Sequence, residues 1–276
     1  MRFVFVVDLH GDEVSYEAAL ELAQSRGAQA IVNGGDLLPH ARRDGFAGQR
    51  AFLEWLRGHW AAVRAAGISS HAMFGNDDAG ALAGRLDDFA REGLIVRLDG
   101  TGWHDLLGWS VLGFPYVPDA PFRLKDWCRH DGDERRSPPQ FGTPLFSTMQ
   151  GAAEQPPDVL HRLPTIAELL AGLPPPPDPT RAILVMHGPP AGIGLDVCGD
   201  RTGVGSEASR RYLERSGFPL ALCGHIHESP HFSGRWWGRL GRTTVVNPGA
   251  LERPPWVVVD LEARRLEHRM LGTAEF

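Results

Sequence analysis

The sequence predicts a mixed α/β protein whose sheet begins parallel and finishes antiparallel. Three observations support this. Short β-branched and aromatic runs alternate with helical patterns at the start of the chain, strand-like runs alone close it, and a proline-rich stretch separates the halves. Strands alternating with helices imply an at least partly parallel sheet with helices packed on it.

Phe3–Val7 is the first strand-sized run. It leads into Asp8-Leu9-His10-Gly11-Asp12, after which Ala19, Leu20, Leu22 and Ala23 give an amphipathic helical pattern. Ala30–Val32 leads into Asn33-Gly34-Gly35-Asp36, and a second helix is expected from about Phe46 to Ala66, with Phe52, Trp55, Leu56 and Val63 on one face. Ser70–Phe74 runs into Gly75-Asn76-Asp77-Asp78, and a third helical stretch covers about Ala79 to Arg91. In the second half, Arg181–Met186 reads as a buried strand ending at His187. A helix around Ser206–Arg215 precedes Pro219–Cys223, which ends at Gly224-His225-Ile226-His227. Thr243–Val246, Trp256–Val259 and Arg265–Met270 read as the closing strands.

Between the halves, from about Pro115 to Thr180, 66 residues hold 14 of the chain's 22 prolines. Proline removes a donor and fixes φ, so this excursion is not expected to be mostly regular, with Thr165–Leu173 as a short helix inside it. Long irregular segments in compact domains are commonly lids or binding loops. The expected organisation is one domain over residues 1–276 carrying a candidate lid at about 115–180.

Composition narrows the function classes. Lys plus Arg total 28 and Asp plus Glu total 34, a net charge of −6 without any basic block, which argues against a nucleic-acid partner. No apolar run approaches the roughly 18 to 20 residues that cross a bilayer, and Phe3–Val7 is too short for a signal-peptide core. Three cysteines, Cys128, Cys198 and Cys223, form no CxxC pair and no even disulfide set. The expectation is a soluble protein of a reducing compartment, the cytoplasm, with no membrane partner. The oligomeric state is not legible.

In open α/β sheets, ligands bind outside the carboxyl ends of the strands. Strand ends here carry Asp8 and His10, Asp36, Asn76, His187, and His225 with His227. In Asp8-x-His10 and His225-x-His227, residues i and i+2 of an extended chain project to the same side. Seven donors are too many for one tetrahedral ion and suit two metals sharing a bridge. Neither GxxxxGK[ST] nor GxGxxG is present, so P-loop and dinucleotide sites are excluded.

Asp8-x-His10, Gly35-Asp36, Gly75-Asn76-x-Asp78, His187 and Gly224-His225-x-His227, followed by Asn247-Pro248-Gly249-Ala250, resemble the motif series of the calcineurin-like metallophosphoesterase superfamily. The motifs run from residue 8 to about 250. The resemblance implies a four-layer sandwich of two mixed β-sheets flanked by helices, with a dinuclear metal site at strand ends. It implies that Asp8, His10 and His227 hold one metal, that Asn76, His187 and His225 hold the other, and that Asp36 bridges them. Two divalent ions roughly 3.5 to 4 Å apart bind phosphoryl oxygens and lower the pKa of a shared water, so the expected reaction is phosphate-ester hydrolysis by a bridging hydroxide. Imidazole with carboxylate suits Mn, Fe, Zn, Co or Ni, with manganese named first.

One position departs from the pattern. Many members carry His directly after the motif Asn, where it serves the leaving oxygen, and this chain has Asp77 there. Asp77 beside Asn76 is the candidate catalytic pair, and Asp77 would need a raised pKa to donate a proton. Asp78 is expected to brace a ligand. In the excursion, Arg123, Lys125 and Arg129 are candidates for substrate phosphate and Trp127 for stacking. The expected function is a metal-dependent phosphodiesterase acting on a small or nucleotide-like ester. The alternatives are a phosphomonoesterase or protein phosphatase, a nuclease, or a non-catalytic scaffold that keeps the fold.

Overall fold

In the first strand, alternate side chains serve two different cores. Phe3, Phe5 and Val7 enter one apolar cluster while Val4 and Val6 enter another, so the strand is buried on both faces. A period-2 chain buried on both sides has to sit between two packed layers. The computed structural model describes residues 1–41, 46–99, 102–135, 137–250 and 256–276.

The first half alternates β1 (Arg2–Val6), α1 (Glu13–Arg26), β2 (Ala30–Asn33), α2 (Ala47–Ala65), β3 (Ser69–Ala72), α3 (Ala83–Arg91) and β4 (Val96–Arg97). It then enters the hairpin β5 (His104–Leu106) and β6 (Trp109–Phe114). The excursion holds the short parallel pair β7 (Val117–Pro118) and β8 (Cys128–Arg129), the hairpin β9 (Leu145–Thr148) and β10 (Gly151–Glu154), and α4 (Ile166–Ala171). Thr165 and Glu168 close a capping box on α4. The chain finishes with β11 (Ala182–Met186), α5 (Glu207–Ser216), β12 (Leu220–Leu222), α6 (Ser229–Ser233), β13 (Trp237–Leu240), β14 (Thr243–Val246), β15 (Val257–Asp260), β16 (Arg265–His268) and β17 (Gly272–Glu275).

Two mixed sheets result. One has the order β17-β16-β15-β1-β2-β3-β4, parallel from β1 to β4 and antiparallel from β1 outward through β15 to β17. The other has the order β13-β14-β12-β11-β6-β5, with four parallel central strands and an antiparallel strand at each edge. Phe3, Phe5, Ile183, Val185, Leu220 and Leu222 fill the space between the sheets. Helices α1, α2 and α3 cover the outer face of the first sheet, and α4 and α5 cover that of the second. The architecture is the four-layer sandwich, and it directs the carboxyl ends of β1, β2, β3, β11 and β12 toward one rim.

The sequence reading passed over several elements. β6 is a central strand of the second sheet, and β5, β13, β17 and the short α6 were not anticipated either. The third helical stretch is broken at its start, where a 3-10 turn over Gly80–Leu82 precedes α3. The cause is tertiary: Gly80 N–H donates to Asp126 Oδ2 at 2.8 Å and Ala81 N–H to Ser147 Oγ at 2.8 Å, so the excursion takes the free donors of that turn. Among the described residues, no helix is long and apolar enough to cross a membrane.

The turn after β14 shapes the last histidine pair. Buried Asn247 donates Nδ2–H to Leu195 O at 2.8 Å and to Ile226 O at 3.2 Å, and its Oδ1 accepts from Gly249 N–H at 2.9 Å. Replacing it with alanine strands the Leu195 carbonyl and the Gly249 N–H, each costing about 1–3 kcal/mol, while Ile226 O keeps the Ser229 N–H. N247A should therefore lower unfolding free energy by at least ~2 kcal/mol in urea titration. It should also weaken metal binding, because Ile226 lies between His225 and His227.

Candidate metal centre

The strand ends deliver their side chains through unusual backbone. Asp8, His10, Asp36 and His225 hold φ of 57°, 44°, 53° and 66°, four of the seven non-glycine residues with positive φ among those described. Such conformations cost about 1–3 kcal/mol each outside glycine and concentrate at functional sites. The turns are stitched together, with Asp8 N–H donating to Gly35 O at 3.0 Å and His10 N–H to Asp36 O at 2.9 Å. Two glycines permit the close approach. A Cβ on Gly75 would lie 2.4 Å from both the backbone N and Oδ1 of Asp36, and one on Gly224 would lie 2.3 Å from Val7 Cγ2 and 2.6 Å from Asp8 Oδ2.

At the rim the donors converge. Ligand atoms of Asp8, His10, Asp36 and His227 all lie within 4.8 Å of one another. His10 Nε2 is 3.2 Å from His227 Nε2 and 3.6 Å from Asp36 Oδ2, and His227 Nε2 is 3.7 Å from Asp8 Oδ2. On the other side, His187 Nε2 is 2.9 Å from Asn76 Oδ1, 3.3 Å from Asp36 Oδ2 and 4.0 Å from Asp8 Oδ1. The His225 ring stands 5.3 Å from that of His187. Asp36 Oδ2 thus lies between two donor sets, one built on Asp8, His10 and His227 and one on Asn76, His187 and His225.

This set fits divalent cations on its own chemistry. Asp8 Oδ1 is buried and has no hydrogen-bond partner among the described residues, a costly arrangement for a carboxylate oxygen unless a cation takes it. His187 Nδ1 lies 3.0 Å from Gly34 O, which can only accept, so Nδ1 keeps its proton and Nε2 is the nitrogen that would offer a lone pair to a cation on losing its own. Burial opposes charge throughout. It pushes both carboxyls up, yet His227 and His187 hold Asp8 below its usual range, and His187 and His10 do the same for Asp36. Burial likewise lowers His187 and His227, but Asp36 and Asp8 overcome it and raise each to about 9. At His225 burial wins, and its pKa falls to about 4.

Asp78 and Gln49 hold the turns. Fully buried Asp78 accepts from the N–H groups of Gly75, Leu37 and Leu38 at 2.8 to 3.0 Å, tying the Asn76 turn to the Asp36 turn. Gln49 on α2 donates to Pro39 O and Asp77 O and accepts from Ala79 N–H.

Asp77 stands between two histidines. Its Oδ2 is 2.5 Å from His40 Nδ1 and 3.8 Å from His10 Nδ1, and its Oδ1 accepts from Asn76 Nδ2 at 2.9 Å. The His40 ring stacks on His10 with centroids 3.9 Å apart, and the bond to Asp77 raises its pKa. His40 does not stand out in the sequence, because neither its spacing nor its neighbours match a ligand motif. Its site role comes from Asp77, 37 residues away.

A cavity of about 630 Å³ opens over the cluster, lined by His10, Asp36, Asn76, His225 and His227 below and by His40, Asp77, Arg123 and Glu228 at its sides. Of the four excursion residues expected to contact substrate, only Arg123 lines it, and the other three need correction. Lys125 is 1% exposed and its Nζ is paired with Asp119 Oδ1 at 2.7 Å. Trp127 is buried and donates Nε1–H to Asp78 O at 2.8 Å. Arg129 lies over the Tyr116 ring at 4.4 Å and donates to Asp126 O and Cys128 O. Trp127 anchors the excursion to the body, while Lys125 and Arg129 are engaged within the excursion itself.

Comparison with known proteins gives a family and a fold. The family described as calcineurin-like phosphoesterase matches residues 1–229. No curated protein matches the sequence. Among solved structures, the protein TT1561 of Thermus thermophilus is similar at TM-score 0.56 and 20% identity, covering 99% of this chain and 98% of that one. A dimetal phosphatase from Danio rerio is similar at TM-score 0.53 and 12% identity, covering 99% and 96%.

Imidazoles must shed protons to ligate a metal. With His187 and His227 protonated up to about pH 9, adding divalent cation to metal-free protein at pH 7.5 should release roughly two protons, and hardly any above pH 10. Titration in buffers of different ionisation enthalpy measures the number. Gly75→Ala, which forces Asp36 aside, should weaken the same binding by about 10-fold or more, as disturbed ligand support does.

Proposed function

The chain belongs to the calcineurin-like phosphoesterase family, and from that premise we propose that this metal-dependent phosphoester hydrolase cleaves phosphodiesters of small organic molecules. The observation that carries the reading is the convergence of Asp8, His10, Asp36, Asn76, His187, His225 and His227 beneath one open cavity. Asp8, His10 and His227 would hold one ion and Asn76, His187 and His225 the other, with Asp36 between them. When bound, divalent ions supply Lewis-acid stabilisation of phosphoryl charge and activate water as the nucleophile, manganese being the first ion to test.

The chain's own groups supply the rest. Asn76 is oriented at both ends of its amide, with Oδ1 facing His187 and Nδ2 donating to Asp77. His10 stacks on the His40 ring and turns Nε2 toward the cluster, 3.6 Å from Asp36 Oδ2. His40, not Asp77, is the proton donor in this reading. Asp77 accepts from His40 Nδ1 and holds the ring at the cavity wall, so the protonated ring can give its Nε2 proton to the departing oxygen. Asp77 acts through His40 as a positioning residue.

The diester preference is supported by the cavity's charge. Arg123 is the single Arg or Lys among its described lining residues, while Asp77 and Glu228 face the same space. Asp77 is balanced by His40, so a phosphomonoester's second negative charge meets Glu228, which repels it, whereas a diester carries one charge.

Hydrolysis of bis(4-nitrophenyl) phosphate should depend on added Mn²⁺, and His225→Ala or Asp36→Asn should lower it by about 10²-fold or more. Faster turnover of 4-nitrophenyl phosphate would assign a phosphatase instead. In a diester series of rising leaving-group pKa, His40→Ala should lose about 10²-fold with alkoxide leaving groups and much less with 4-nitrophenoxide. Equal losses across the series would remove His40 from the donor role.

A further inference from the structure

One side of the cavity differs from its floor. Phe46, Phe122, Leu124, Leu145 and Ala152 give the cavity that holds the metal-ligating side chains an apolar wall. Apart from Phe46, the wall belongs to the excursion, and its backbone is fixed. Leu145 N–H donates to Arg123 O at 2.7 Å, Lys125 N–H donates to Leu145 O at 2.9 Å, and Leu124 pairs with Leu145. Asp126 fastens the two segments to the body by accepting from Ser147 N–H at 3.0 Å and Gly80 N–H at 2.8 Å. The apolar surface continues outward. Phe122 is half exposed and meets Phe141 edge to face at 5.9 Å, with Phe141 itself 72% exposed.

The charges beside this wall are already engaged or of the wrong sign for a second anion. Arg123 donates Nε–H to Thr143 O at 3.0 Å and pairs through Nη2 with Glu154 at 3.2 Å. Asp77 and Glu228 complete the charged rim. A sugar or polyphosphate laid against Phe122, Leu124 and Leu145 would meet side chains that offer it no hydrogen bond, and its polar groups would lose water without replacement. An alkyl or aryl group there leaves water at a gain proportional to the area covered.

We propose that the wall selects phosphodiesters whose retained organic group is apolar, alkyl or aryl, with Phe122, Leu124 and Leu145 as the specificity-determining residues. This rests on the phosphodiesterase reading, which fixes where the phosphoryl group sits, at the polar floor, and leaves the second ester substituent directed at the wall. Ligand pockets of this size commonly combine a mostly apolar lining with a few convergent polar groups.

The test uses the metal-loaded protein with methyl, butyl, phenyl and thymidine-5′ 4-nitrophenyl phosphates, all releasing the same leaving group. Butyl and phenyl esters should exceed the methyl ester in kcat/KM by about tenfold, the gain expected for a few partly buried methylenes. Phe122→Ser and Leu145→Ser should each bring that ratio down several-fold. Phe122 is exposed enough that its replacement leaves folding intact, which thermal melting verifies. Calorimetry with dibutyl and dimethyl phosphate gives a readout without turnover, and the dibutyl ester should bind more tightly in the wild type only. A ratio near one for butyl over methyl overturns the proposal, and so does a thymidine ester preferred to both butyl and phenyl. If none of the diesters is cleaved while 4-nitrophenyl phosphate is, the diesterase reading fails. The dibutyl-over-dimethyl binding ratio then still decides whether the wall takes an apolar group.

Discussion

Two carboxylates, Asp8 and Asp36, are buried at the same point of the molecule, and most of the surrounding structure answers to that fact. Both are 2% exposed and each raises the other's cost of ionisation, yet both stay charged because His187, His227 and His10 stand within 3.3 to 4.0 Å. A cluster of this kind is expensive to desolvate and is held only where the elements around it cannot relax. The two-sheet sandwich supplies that rigidity. Five parallel strand ends from two sheets, locked by a core of Phe3, Phe5, Ile183, Val185 and Leu222, point at one rim, and no donor can retreat without moving a strand.

The strain at the rim follows from the same demand. Asp8, His10, Asp36 and His225 leave their strands in left-handed backbone, which turns each side chain inward within a few residues of the sheet. Buried polar groups away from the cluster offset this. Asp78 collects three N–H groups from two turns, Gln49 joins α2 to the segments bearing His40 and Asp77, and Asn247 ties the turn after β14 to Leu195 and Ile226. None of the three needs to touch substrate. Their work is to keep a repulsive set of donors from spreading apart, and so burial at these positions belongs to function as much as to stability.

What was legible in the sequence follows from this division. The donors Asp8, His10, Asp36, Asn76, His187, His225 and His227 each stand shortly after a strand-like run, so topology and side-chain chemistry speak together, and the structure brings them to one place. The sandwich was legible through the same motifs and less so through the strands themselves. β6 is central to the second sheet, but its neighbour β5 is three residues long and their antiparallel pairing breaks the strand–helix rhythm. The excursion was legible as a departure in composition and not in detail. Charge and aromaticity in 122–131 suggested four substrate contacts, but a linear run does not tell which side chains face a cavity and which face the body. Trp127 proved to be an anchor to the body, Lys125 and Arg129 proved to be engaged within the excursion, and the apolar Phe122 and Leu124 face the cavity.

His40 shows why the missing family histidine after Asn76 does not leave the site without an imidazole. A carboxylate at position 77 cannot stack on His10, but it can hold a ring that does. His40 arrives from the turn after Asp36, lies 3.9 Å from the His10 ring and meets Asp77 Oδ2. The segment bearing Asp77 and the segment bearing His40 are both fastened by Gln49, through Asp77 O and Pro39 O, so the pair is held as a unit from α2. Holding the ring from two loops makes its position depend on the helix beneath them and places the imidazole at the cavity's side, where it shares the space with the wall of the excursion. On the proposed reading, proton supply and substrate selection would then involve neighbouring surfaces of one cavity.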